Sequence, residues 1–329
     1  MREGQEMKKI FRMVVCLMVM TLLFGLFVST AGAAYPEKEI LLIIQAAPGG
    51  VSDAVGRAMA AAAQEFLGVP ITPTNITGAA GAIAMGKLKS SPPDGYTVGY
   101  VPVELSMVKA LGYADISPDD FDLIMRTNIV PAALTVRADA PYKTFEEFVQ
   151  YAKNNPGAIL VGTSGTGSIW HIAGLALEEA IGTQFTFVPF DGAAPSVAAL
   201  LGKHINAVTC SPSEVLSGVQ AGELNILAVL GAERTQLFPD VPTAQELGYD
   251  INVMAWGGFA LPKGVPKEVY DKIADAFYKA FQSETFTKVM KERGIQMAYL
   301  DGPAFAEFAK QQFELYMELI PKALGTKKE

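Results

Sequence analysis

Short, almost uninterrupted apolar runs alternate along this chain with longer stretches of helical period, and glycine clusters separate the two. Residues 39–44 form the first run, with the length and composition of a strand buried on both faces. It breaks at Pro48-Gly49-Gly50. A helix is predicted from Ser52-Asp53 through Ala63 to Leu67, stopped by Gly68, and a short strand follows over 69–72. A glycine-rich loop covers 75–81 and a helix 82–90. After the turn signal Pro92-Pro93-Asp94-Gly95 comes a strand over 96–101. This βαβαβ opening is a parallel-sheet unit.

Further apolar runs lie at 121–124 and 132–136. Thr144 and Glu147 have the spacing of a capping box and open a helix through Ala152. The opening arrangement then recurs as strand 158–161, glycine-rich loop 162–168 and helix 169–180 ended by Gly182. A strand over 185–190, a helix over 196–201 closed by Gly202, and strands over 205–210 and 225–230 complete it. An extended segment at 256–262 and three helical stretches, 266–282, 284–293 and 303–319, make up the tail. No strand-rich unit remains to cover their apolar faces, so they are expected to pack back on the first. The expected fold is α/β with two domains around a cleft. Residues 34–134 and 255–329 make the first domain, 135–254 the second, and two crossing segments the hinge.

The N-terminus has a different pattern. Arg2, Lys8, Lys9 and Arg12 precede an apolar run from Met13 to Val28, and Ala31-Gly32-Ala33 closes it. That order is a secretory signal peptide over residues 1–33, cleaved near Ala33, with translation starting at Met1 or Met7. A run of about 16 residues is short for a span, which takes roughly 20. No cysteine follows to carry a lipid. The chain is therefore expected to be exported.

Composition narrows the function. Of two cysteines, Cys16 lies in the leader, so Cys210 alone remains; it closes no internal disulfide and reads as a buried small hydrophobe. The formal charge is −8, and the net +2 of the first 33 residues leaves −10 for the remainder. Nucleic acid is excluded as a partner, and any anion must be held by local dipoles.

The candidate chemistry sits in the two glycine-rich loops. Each carries a strand into small residues and then into a helix N-terminus, where N–H groups lack intrahelical partners and the dipole is positive. In open α/β sheets ligands collect beyond the carboxyl ends of the strands. Two such loops facing across a cleft would hold a carboxylate with no lysine or arginine. Enzyme motifs fail on spacing. Thr166 stands where a nucleophile elbow around Ser164 needs glycine. Trp170 stands where a dinucleotide fingerprint needs one. No cofactor or metal site is expected, since the loops offer Asp53 alone as a metal ligand. Of the two histidines, His204 reads as a surface turn residue; for His171, contact with ligand and a plain helix-start role both fit.

Six segments occur in order: Tyr35-Pro36-Glu37-Lys38-Glu39-Ile40, Pro48-Gly49-Gly50-x-Ser52-Asp53, Pro93-Asp94-Gly95-Tyr96-Thr97, Gly165-Thr166-Gly167-Ser168-x-x-His171, Asp240-Val241-Pro242-Thr243-x-x-Glu246-x-Gly248 and Trp256-Gly257-Gly258-Phe259. Together they resemble the tripartite tricarboxylate transporter substrate-binding receptors, the Bug family of bacterial periplasmic proteins, over most of the chain from Tyr35. The resemblance implies a type II periplasmic-binding-protein (Venus-flytrap) fold, a monomer in the periplasm, a small carboxylate as ligand and the membrane permease subunits as partner. Onto this sequence it maps the ligand-binding residues Gly49, Gly50, Val51, Ser52 and Asp53 in the first loop, and Ser164, Gly165, Thr166, Gly167, Ser168 and His171 in the second. Phe190 and Asp191 join the set, and Trp170, Phe190 and Trp256 fit either a distal pocket or the core. The chain departs from the family pattern at Gln45-Ala46-Ala47, and at Asp191, where relatives often carry lysine. The second departure points to a monocarboxylate, or to a ligand whose distal group is neutral or cationic. An exported sensor feeding a membrane kinase is the alternative function.

Overall fold

In chain order the elements are β1 (Ile40–Ile44), α1 (Val51–Leu67), β2 (Ile71–Asn75), α2 (Ala82–Lys89), β3 (Thr97–Pro102), β4 (Phe121–Pro131), β5 (Ala133–Arg137), α3 (Phe145–Asn154), β6 (Leu160–Thr163), α4 (Ile169–Ile181), β7 (Thr186–Pro189), α5 (Ala193–Leu201), β8 (Ala207–Cys210), α6 (Leu216–Gln220), β9 (Leu224–Val229), β10 (Met254–Pro262), α7 (Lys267–Gln282), α8 (Glu284–Glu292), β11 (Gln296–Asp301) and α9 (Gly302–Ala323). The structure, a computed structural model, describes residues 35–323 together with Met7, Phe11 and residues 13–15. The expected leader, residues 1–33 with its cleavage point, otherwise lies outside the described residues.

The strands make two mixed sheets, ordered β11-β4-β10-β3-β1-β2 and β7-β6-β8-β5-β9. In the first, β1 lies parallel to β2 and β3, the unit expected of the opening. The apolar run of β1 suits this place: Ile40, Leu42 and Ile44 are fully buried. β10 comes from far down the chain and inserts antiparallel between β3 and β4. In the second sheet β6 runs parallel to β7 and β8, while β5 runs antiparallel to β8 and β9.

The chain passes between the sheets at Ala132 and returns through residues 230–253. The passages are tied together: the Ala132 N–H donates to Val253 O (2.9 Å), the Leu230 N–H to Ala132 O (2.7 Å) and the Val253 N–H to Leu230 O (2.7 Å).

The tail helices α7 and α8 pack on α1, and α9 packs on β4. Phe259, Phe277, Phe286 and Phe305 are fully buried where these elements meet, and each such ring contributes about 1.5–3 kcal/mol. The predicted capping box is present, with Thr144 Oγ1 accepting the Glu147 N–H at 3.2 Å. Cys210 is buried and free, and His204 is an exposed turn residue.

Strand β11 leaves no mark in the apolar pattern. It is an edge strand, half-exposed along its length, and its pairing with β4 shifts between Met297 and Leu300. Without a buried face no period of two is imposed.

Candidate functional site

Five strands deliver their carboxyl ends to one place: β1 and β3 from the first sheet, β6, β7 and β8 from the second. A cleft of about 680 Å³ lies there. The first loop supplies Gly50, Val51 and Ser52 to its wall, and the second supplies Ser164, Gly165, Thr166 and Ser168, with Phe190 and Asp191 beside them. The lining includes three carboxylates, Glu104, Asp191 and Glu214, and neither lysine nor arginine.

The other four predicted residues stand behind the wall and hold it. Asp53, buried in the first turn of α1, accepts the Gly49 N–H at 3.0 Å through Oδ2. Its Oδ1 accepts from Arg57 Nε (2.8 Å) and Asn75 Nδ2 (3.0 Å). His171, buried in the first turn of α4, accepts the Gly167 N–H at 3.0 Å through Nδ1 and meets Phe187 edge-on. Burial holds the imidazole below its ordinary pKa, so it is neutral with its proton on Nε2. Both loops are thus closed by the same device: a side chain one turn into the helix takes the N–H of a glycine four residues earlier.

Those clamps turn the remaining loop amides loose. The N–H groups of Ser164, Gly165 and Thr166 have no acceptor among the described residues. Gly165 has φ +115°, a conformation other residues resist. Successive free amides in such a turn are an anion-binding concavity. The first loop meets the turn between β7 and α5, where the Ala47 N–H donates to Asp191 O at 3.2 Å. Tyr113 Oη donates to Thr166 O at 3.0 Å.

A polar ladder runs along the wall on the side of the first sheet. Gln45 Nε2 donates to Ser52 Oγ (2.8 Å), and Tyr100 Oη donates to Asn128 Oδ1 (3.1 Å). Burial raises the Tyr100 phenol well above its ordinary pKa, so it stays a neutral donor. Gln45 Oε1 and Trp256 Nε1 are buried without a partner among the described residues. The indole of Trp256 packs edge-on against Phe305 and Phe308, so it serves the core and the wall together.

Three wall elements were missed by sequence reasoning. Glu104 follows β3 and accepts the Ile169 N–H at 2.9 Å. Glu214 follows β8; its Oε1 accepts the Val51 N–H at 3.3 Å, and its Oε2 accepts the N–H and hydroxyl of Ser211, both at 3.0 Å. Burial raises both carboxyls above the ordinary range, and the backbone donors pull them partway back. A signal existed for Glu104, a single charge inside the apolar run 101–108 at a strand end. The third element is the turn at Ala79 and Ala80, both on the wall with φ of 48° and 51°. Alanine there costs about 1–3 kcal/mol each, strain of the kind that collects at functional sites.

Among the described residues no helix is long and apolar enough to cross a membrane, and no group of three His, Cys, Asp or Glu is placed to hold a metal ion. The family model described as "Tripartite tricarboxylate transporter family receptor" matches residues 55–325. A "UPF0065 protein in gbd 5'region" of Cupriavidus necator is 31% identical over 289 residues, 88% of each chain. The solved structure of the periplasmic binding protein BugD superposes with a TM-score of 0.83 at 30% identity, covering 90% of this chain and all of that one. The MatC protein of Rhodopseudomonas palustris, solved with bound malate, shares the fold with a TM-score of 0.80 at 23% identity, over 87% of this chain and all of that one. The chain belongs to the tripartite tricarboxylate transporter receptor family, whose members are periplasmic solute-binding proteins and not enzymes.

Proposed function

We propose that this chain, exported and cleaved near Ala33, captures one small carboxylate in the cleft. As a monomer, it delivers that ligand to the membrane permease subunits of a tripartite tricarboxylate-type transporter. The observation that carries the reading is the row of free amides at Ser164, Gly165 and Thr166, set against Gly50 to Ser52 in a cleft without a basic side chain. Neutral donors hold an anion in a protein of net charge −10 without demanding a counter-cation, and being fixed in a loop they lose little entropy on binding. Gly49, Asp53, Gly167 and His171 then serve by shaping the two loops. The bodies that close are residues 34–134 with 255–329, and 135–254, and they turn about the crossing segments.

The acidic wall limits the ligand's far end. With Glu104, Glu214 and Asp191 around the cleft, a second carboxylate would meet like charge and find no basic partner. A monocarboxylate, or a carboxylate whose distal group is neutral or cationic, fits better.

Mass spectrometry of the small molecule released from purified protein tests this directly. A thermal-shift screen of carboxylates, malate among them, gives a second readout, since a ligand at 100 times its Kd stabilises by about 2.7 kcal/mol. Stabilisation by sugars or amines, with every carboxylate silent, would sink the proposal. Permease genes beside this one support delivery; a histidine kinase gene there supports sensing.

A further inference from the structure

Glu104 and Glu214 occupy equivalent places in the two lobes. In each sheet one strand carries a glycine-rich loop into a helix, β1 into α1 and β6 into α4. The strand hydrogen-bonded beside it, β3 or β8, ends just before the glutamate. Each glutamate reaches across the cleft with one oxygen, Oε1, while Glu214 keeps its Oε2 on Ser211 of its own side. Glu104 takes the N–H of Ile169, the first residue of α4, and Glu214 takes that of Val51, the first residue of α1. Neither helix meets that need locally. The cap position of α1 is Gly50, which has no side chain to offer, and the Ser168 hydroxyl that caps α4 accepts the His171 N–H instead.

We propose that Glu104 and Glu214 form a reciprocal latch, in which each lobe's carboxylate caps the leading helix of the other lobe, so that both caps form only when the lobes close. An open receptor gives up both caps in one motion, leaving two helix N-termini to water while Glu214 keeps its bonds to Ser211. Because the latch uses the first N–H of each helix, a captured anion is left the loop amides and the remaining first-turn N–H groups. Closure is thereby driven partly by the protein's own anions, and the latch stands whether or not the ligand is a carboxylate.

The test is made on the unliganded protein. Spin labels placed through Glu65→Cys in the first lobe and Lys153→Cys in the second, both exposed, report the lobe separation by double electron–electron resonance; Cys210 is buried and does not label. In the parent a closed population is expected. Glu104→Ala or Glu214→Ala should each lower the closed-to-open ratio on the order of tenfold, the usual weight of a charge-assisted bond. Glu104→Gln and Glu214→Gln retain an acceptor oxygen without the charge and should fall between the parent and the alanine variants. A parent that is fully open, alanine variants that match it, or glutamine variants that open as far as the alanine ones would each overturn the latch. Should the alanine proteins not fold, hydrogen exchange in the parent decides. Val51 and Ile169 amides that exchange together support the latch, and independent exchange overturns it.

Discussion

His171 Nδ1 lies 3.0 Å from the Gly167 nitrogen and accepts its proton, so the ring can close the second loop only while Nδ1 is unprotonated. Burial lowers this histidine's pKa below its ordinary 6.5. In the unfolded chain the ring takes a proton near 6.5, and in the folded protein only at lower pH. Its contribution to stability is therefore fully present above 6.5 and is lost as pH falls through the lower folded value. Thermal unfolding of the parent from pH 8 to 5 should show this loss. His171→Ala should lower the melting temperature at pH 8 and flatten the acid side of the profile. An equally steep acid limb in the variant would show that other groups cause it.

Asp53 performs the matching service in the first loop with three accepted hydrogen bonds. Asp53→Ala removes them all and leaves the Asn75 amide and Gly49 N–H short of an acceptor. A loss of about 1–3 kcal/mol in urea unfolding is expected, with weaker binding of whichever carboxylate stabilises the parent. Unchanged binding in a destabilised variant would separate the first loop from the ligand.

Gly257 sits where β10 crosses Tyr100. A Cβ there would fall 1.7 Å from the tyrosine oxygen and 2.3 Å from its ring. Gly257→Ala must push Tyr100 away from Asn128, at a cost of about 1–3 kcal/mol or more. Lower stability and a lost Tyr100–Asn128 bond in a crystal structure are expected. A variant as stable as the parent would mean that the ring has another place to go.

Asp191→Lys puts a cation on a wall that has none. The expected outcome in calorimetry is a changed ranking, with dicarboxylates gaining on monocarboxylates. An unchanged ranking would remove Asp191 from ligand selection.

The loops were legible because their signals are local. Pro48-Gly49-Gly50 and residues 162–168 interrupt apolar runs, and Thr144 with Glu147 marks a helix start within four residues. The side chains that complete the cleft answer to no local rule. Glu104 and Ile169 are 65 residues apart, and Glu214 and Val51 are 163 apart; only the meeting of two sheets pairs them. Asp53 and His171 were placed in the right loops, but the sequence could not separate a group that faces the cleft from one that faces its own loop. Strand β11 was invisible for the opposite reason, having too little buried surface to need a pattern.

The three backbone hydrogen bonds among Ala132, Leu230 and Val253 have a mechanical meaning. Sliding one sheet past the other would break all three, whereas the proposed closure would turn about the line that joins the two passages. In the proposed closure the pair of passages serves as the pivot.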